Sequence, residues 1–233
     1  NPSATVTGPL EKGVEALLDH ARTKEWAPAT FGDYRSCFNE RIHLGGSGIT
    51  SETLIRAAVS VAPVKTRLCV DAGAHMFSVM ALWPALRPHD VLKSNGLSTM
   101  GYALPAAIAG SLVERGRPHL AITGDGGMLM SLAELSTAVR LNCNMVVAVV
   151  NDAALSLIDV KQQRQQRPTV GVRYPVTDFA HAPEGFGCRG IRVEDDKDLS
   201  AALTEAFVSS GPVLVDVACD PSGYGDQLTA LRG

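Results

Sequence analysis

Two aspartates, Asp125 and Asp152, carry the strongest chemical signal in this chain. Asp125 stands in Gly124-Asp125-Gly126-Gly127, directly after the apolar run Leu120-Ala121-Ile122-Thr123. Asp152 stands 27 residues later in Asn151-Asp152, directly after Met145-Val146-Val147-Ala148-Val149-Val150. Both acids lie where a strand-like run ends, and the stretch between them reads as helix. One strand–helix–strand unit then puts a carboxylate at the same end of two adjacent strands. In a parallel sheet, that end is where ligands bind. Glycines at a helix start let a phosphate approach backbone N–H groups. An Asp buried there would repel the phosphate unless a cation stood between them, and magnesium does this with few carboxylates plus phosphate oxygens. Each half is weak alone. A Gly-Asp-Gly triplet also makes an ordinary strand-to-helix turn, and Asn-Asp also caps helices. The spacing joins them, because 27 residues is the length of one crossover.

Positioning such a pair takes a sheet. Pro9 to Thr23 reads as an amphipathic helix, with Leu10, Val14, Leu17 and Leu18 on one face. Trp26 to Gly48 is mixed in character and reads as a linker or docking segment. Thr50-Ser51-Glu52 opens a capped helix. Strands then alternate with helices: strands at Arg67–Asp71, Val91–Ser94, His119–Thr123, Asn144–Val150, Gly190–Val193 and Val213–Val217, and helices at Ala74–Leu82, Met100–Arg115, Met128–Leu141, Leu155–Gln163, Asp178–Phe186 and Lys197–Ser209. Arg164 to Pro175 reads as a mobile loop, and Gly223-Tyr224-Gly225-Asp226 as a loose tail that either folds over the site or does nothing. The alternation predicts an α/β fold: a doubly wound, mainly parallel six-stranded sheet with helices on both faces.

Composition narrows the function. The chain has 233 residues, 45% hydrophobic and 19% charged, enough for a sizeable core. A net charge of −3 with no basic run argues against nucleic acid. The apolar runs are strand-length, short of the roughly 20 residues a membrane helix needs. Five cysteines, Cys37, Cys69, Cys143, Cys188 and Cys219, show no ligand-type spacing and read as reduced thiols of a cytoplasmic protein.

The combination Gly124-Asp125-Gly126 … Asn151-Asp152 resembles the motif of thiamine-diphosphate enzymes. Two further stretches match the same family. Asp71-Ala72-Gly73-Ala74-His75-Met76 resembles the segment that contacts the diphosphate. Asn95-Gly96-Leu97-Ser98-Thr99-Met100-Gly101-Tyr102-Ala103-Leu104-Pro105-Ala106-Ala107 resembles the segment that grips the aminopyrimidine ring. The resemblance runs from about Ile55 to Tyr224 and covers the family's PP domain, here residues 49–233. It implies thiamine diphosphate and Mg²⁺ as cofactors. Asp125, Asp152 and the Ala154 carbonyl would hold the metal, with Asp152 replacing the commoner Asn. Gly73, Ala74, His75, Gly126 and Gly127 would hold the diphosphate. Met100 would prop the bent cofactor, and the Ser98 carbonyl would accept from its 4′-amino group, at a position where Gly is usual. Arg164 or Arg167 could meet a substrate carboxylate.

The family also needs a glutamate that activates the pyrimidine from a second, PYR-type domain. None is found here, so no catalytic residue is assigned in this chain. A partner is expected: either a PYR-bearing chain of a split enzyme, in a hetero-oligomer or dimer of dimers, or a missing N-terminal region. Residues 1–48 then read as a leader or the remnant of a preceding central domain. The non-Met start, and the helix before Trp26, lean that way and resemble acetolactate-synthase-like enzymes. The implied reaction decarboxylates a 2-oxo acid such as pyruvate and transfers the acyl-anion equivalent to an acceptor. Simple 2-oxo acid decarboxylation, or a non-catalytic cofactor-binding subunit, remain alternatives. A nucleotide-binding Rossmann domain would show G-x-G-x-x-G after the first strand, which Asp71 to Met76 does not supply.

Overall fold

The computed structural model describes residues 7–19, 21, 28–43 and 45–232. Two compact units divide the chain, Asn1–Glu40 and Arg41–Gly233. In the first, α1 spans Leu10–Leu18 and α2 spans Pro28–Arg41. Thr23 and Trp26, part of the expected leader, lie outside the described residues. The α2 helix corrects the expectation of an irregular linker there. Its first residue is a proline, whose fixed φ and missing N–H suit the first helical position.

The second unit holds the sheet. The α3 helix, Ser51–Val61, starts at Thr50, whose side chain accepts from the Thr53 N–H while the Thr53 hydroxyl accepts from the Thr50 N–H. The strands and helices that follow are β1 (Arg67–Val70), α4 (His75–Leu82), β2 (Val91–Lys93), α5 (Ala103–Val113), β3 (His119–Gly124), α6 (Asp125–Ser131) and α7 (Glu134–Arg140). They continue with β4 (Met145–Asn151), α8 (Ser156–Arg164), β5 (Arg189–Val193), α9 (Asp196–Val208), β6 (Pro212–Ala218) and α10 (Tyr224–Arg232). A short 3-10 helix, Ala182–Phe186, precedes β5 and is all that forms of the helix expected over Asp178–Phe186.

All six strands pair in parallel, in the order β2-β1-β3-β4-β6-β5. Alternate residues of each strand feed opposite faces. Leu68, Val70, Leu120, Ile122, Val146, Ala148, Val150, Val213, Val215 and Val217 pack with α3, α4 and α9. Cys69, Ala121, Val147, Val149 and Leu214 pack with α5, α6 and α7. Burial on both faces is why these strands read as continuous apolar runs rather than alternating ones. Each fully buried Val, Leu or Ile contributes roughly 1.5–3 kcal/mol of transfer free energy.

The chain goes from β1 outward to β2, then returns past β1 to β3, so the strand order reverses beside β1. That switch point opens a crevice at the strands' carboxyl ends. Asp71, Asp125 and Asp152 all lie just beyond such ends.

Three expectations change in this unit. The single helix predicted over Met128–Leu141 is two, α6 and α7. At the break Leu135 N–H donates to Leu132 O and Ser136 N–H to Ala133 O, the tighter i→i−3 pattern, and the Ser131 hydroxyl back-bonds to Gly127 O. The segment Arg164 to Pro175 is tied down rather than free. Leu155 N–H donates to Val172 O, Tyr174 N–H donates to Ala153 O, and Arg173 pairs with Asp159 at 2.8 Å. The supposed loose tail opens α10, with Tyr224, Gln227 and Leu228 buried and the Gln227 amide donating to Ser78 Oγ at 2.9 Å.

Candidate functional site

The site is assembled from four segments that leave β1, β2, β3 and β4. Gly124 is in register with Val150, so Asp125 and Asp152 start from neighbouring strand ends. Around them lies a cavity of about 330 Å³. Every residue assigned from the sequence to metal or cofactor lines it: Gly73, Ala74 and His75 after β1, Ser98 and Met100 after β2, Asp125, Gly126 and Gly127 after β3, and Asp152 and Ala154 after β4.

The two carboxylates are held differently. Asp125 Oδ1 accepts from the Gly126 N–H at 2.7 Å and from the Tyr174 hydroxyl at 2.8 Å. Its Oδ2 is buried and has no hydrogen-bond partner among the described residues. Burial pushes the Asp125 carboxyl above the ordinary carboxylate range, against those donors. Asp152 accepts from the Ala154 N–H at 3.2 Å and the Ser156 hydroxyl at 2.8 Å. Burial first, and the charge of Asp125 second, push its carboxyl up to about 7. Two close acids with an unmatched oxygen fit a hard cation, which would supply what the protein withholds. No cluster of three or more His, Cys, Asp or Glu positioned to hold a metal occurs among the described residues. The protein's share of a metal shell would therefore be two carboxylates and main-chain oxygen.

The phosphate side is backbone. The N-cap residues Ala74 of α4 and Gly124 of α6 make no side-chain cap, and both helix starts line the cavity, where an anion is favoured. His75 is buried, with Nε2 unpartnered among the described residues. Burial lowers its pKa to about 4 despite the nearby charge of Asp71, so the imidazole is neutral. Gly127 has no room for a side chain, whereas one at Gly126 would press on the movable tips of Leu155, Met100 and Tyr174. A Cβ at Gly127 would sit 2.2 Å from Asp71 Oδ2, and one at Gly126 would sit 2.5 Å from Leu155 Cδ2 and 3.1 Å from Met100 Cε. Ser98, where glycine would be relaxed, adopts φ 50°, and Ala153, between Asp152 and Ala154, adopts φ 57°. Left-handed backbone at two non-glycine residues beside one cavity is local strain of the kind found at functional sites.

Sequence reasoning missed four participants. Asp71 is the largest. Its carboxylate accepts from the N–H groups of Gly101, Tyr102 and Ala103 at 2.6–2.9 Å and from the Thr123 hydroxyl at 2.6 Å. It caps α5 from another strand. The signal was available, since Asp71 ends a strand as Asp125 and Asp152 do. Ser156, at i+4 from Asp152, was also legible as the first residue of α8. Tyr174 and Lys161 carried no local signal. Arg164, expected near substrate, instead donates to Gly225 O and Thr229 Oγ1 on α10. The Arg167 side chain is exposed. Tyr224 of the supposed tail lines the cavity and packs with Ala74, Leu157 and Val160.

Comparison with known proteins agrees with this architecture. Residues 71–217 match the family described as thiamine pyrophosphate enzyme, C-terminal TPP binding domain. The acetolactate synthase of Bacillus subtilis (strain 168) is 36% identical over 158 residues, covering 68% of this chain and 27% of that protein. Acetolactate synthase isozyme 1 large subunit of Escherichia coli (strain K12) is 30% identical over 169 residues, covering 72% of this chain and 30% of that protein. The chain thus spans between about a quarter and a third of the length of these relatives. Among solved structures, a thiamine diphosphate-dependent 4-hydroxybenzoylformate decarboxylase of Rhodococcus jostii RHA1 superposes with a TM-score of 0.71 at 21% identity, covering 76% of this chain and 33% of that one. A parallel sheet with three acids at neighbouring strand ends, and a family match that begins at the first of those acids, place this chain among the C-terminal thiamine-pyrophosphate-binding domains of the acetolactate-synthase-like enzymes.

Proposed function

We propose that this chain is the diphosphate- and magnesium-holding half of an enzyme that decarboxylates a 2-oxo acid and passes the acyl-anion equivalent to an acceptor. The observation that carries the reading is the buried, unpartnered Oδ2 of Asp125 beside Asp152. Left alone, that oxygen costs free energy; a Mg²⁺ ion satisfies it. Asp125, Asp152 and the Ala154 carbonyl bind the metal. Gly73, Ala74, His75, Gly126 and Gly127 hold the diphosphate. Met100 and the Ser98 carbonyl orient the pyrimidine. Leu155, Leu157 and Ile158 give the cavity an apolar wall. Bound here, thiamine diphosphate supplies an electron sink for the carbanion left when CO2 departs.

The activating acid comes from outside this chain, on a PYR-type domain of a partner or of a longer polypeptide. The short share of each relative that this chain covers supports that reading.

The test is calorimetric titration with thiamine diphosphate, with and without Mg²⁺. The expected result is binding that requires the metal and vanishes in Asp125→Ala, with unchanged circular dichroism. Metal-independent binding, or full affinity in Asp125→Ala, overturns the metal assignment.

A further inference from the structure

The α8 helix sorts its side chains into two sets. Asp159 accepts from Gln163, Thr169 and Arg173, and Arg164 is committed to α10. Leu157, Ile158 and Lys161 line the cavity instead. Lys161 follows Leu157 by four residues and Ile158 by three, so all three share one helix face. Lys161 is the one lysine or arginine among the lining residues, and it is exposed. Its ammonium forms no ion pair or hydrogen bond among the described residues. The cavity therefore has acids at its buried end, an apolar wall of Met76, Phe77, Leu155, Leu157 and Ile158, and a free ammonium toward solvent.

That ammonium is poorly suited to the carboxylate that leaves. Decarboxylation drains charge from that group, so a cation on it stabilises the ground state more than the transition state and slows the reaction. An anionic group that the substrate keeps has the same charge throughout. Binding it is uniform and lowers KM.

We propose that Lys161 forms a subsite for a second anionic group, making the substrate a 2-oxo acid that carries a carboxylate, sulfonate or phosphonate at its far end. This rests on the 2-oxo acid reading above and names its substrate class.

The experiment uses the complete enzyme that carries this chain, loaded with thiamine diphosphate and Mg²⁺. CO2 release is measured from pyruvate, 2-oxobutyrate, 2-oxoglutarate, oxaloacetate, 3-sulfopyruvate and 3-phosphonopyruvate, which separate the three anions. At least one dianionic substrate is expected to exceed 2-oxobutyrate in kcat/KM by about tenfold, the worth of one charge-assisted contact. Lys161→Gln is expected to lower the ratio of dianionic to pyruvate kcat/KM by about tenfold, through KM rather than kcat, and Lys161→Arg to restore most of it. Wild-type preference for pyruvate over every dianionic substrate, or a ratio unmoved by Lys161→Gln, overturns the subsite and leaves the decarboxylase reading standing. Absence of CO2 from all six substrates overturns both.

Discussion

Asp125 works through an asymmetry between its two oxygens. Tyr174 and the Gly126 N–H occupy Oδ1, which leaves Oδ2 buried without a partner among the described residues. Burial and the neighbouring Asp125 charge hold the Tyr174 hydroxyl well above its ordinary range, so it stays protonated and donates. Removing it in Tyr174→Phe frees the carboxylate to rotate, and metal-dependent cofactor affinity is expected to fall about tenfold, the worth of one hydrogen bond to a charged group. Titration calorimetry of the variant reads this directly, and unchanged affinity would remove Tyr174 from the site. Asp152 sets the pH dependence. Its folded pKa of about 7 lies above its ordinary 3.8. The metal-free protein thus gains stability from a protonated Asp152 below about pH 4, and loses it as pH rises through about 7. Metal needs the ionised form, so Mg²⁺ affinity is expected to climb as pH rises toward about 7, while metal-free thermal stability declines between about pH 4 and 7 and levels off above. Thermal scans with and without Mg²⁺ across that range check both slopes, and parallel slopes would contradict them.

Elements meet at Asp71. The acid leaves β1, caps α5, and bonds the end of β3 through Thr123. The start of α5 contributes no side-chain cap of its own, so its N–H groups depend on this distant carboxylate. Asp71→Ala is expected to cost about 3 kcal/mol, since it strands several buried donors at once. Urea unfolding measures it, and a loss within about 0.5 kcal/mol, the range of an ordinary surface change, would deny Asp71 this role. The same substitution is expected to loosen the Ser98–Met100 turn, because the Gly101 N–H that follows it donates to the Asp71 carboxylate. The segment 165–175 is another case of elements held from outside. Its prolines and polar residues read as mobile, yet the Ala154–Arg173 bridge and the Asp159 contacts fasten it to the turn that carries Asp152.

For the whole molecule, the sheet and its site belong to the unit Arg41–Gly233. Residues 41–233 expressed alone are expected to fold and to bind thiamine diphosphate with Mg²⁺ as the longer chain does. Circular dichroism and calorimetry on that piece decide it; loss of binding would assign residues 1–40 a part in the site. Turnover is a separate matter, because the activating acid is sought on another domain.

Much of this was legible because the relevant signals are local. Apolar runs announced β3, β4 and β6, since both faces of the sheet are buried there, while the edge strands β2 and β5, which carry Lys93, Arg189 and Arg192, were legible from the alternation of strands with helices. Aspartates and glycines at strand ends announced the cavity, because the turn chemistry and the ligand chemistry use the same few residues. Contacts between distant segments were not legible. Nothing near Tyr174 shows that it reaches Asp125 49 residues away, and nothing near Arg164 shows that α10 takes its guanidinium. The break between α6 and α7 turns on a serine hydroxyl choosing a backbone carbonyl. Sequence alone determined which strands form and which acids end them. Only the tertiary structure decided which oxygen of Asp125 is left open, because that depends on which donors packing brings to the other.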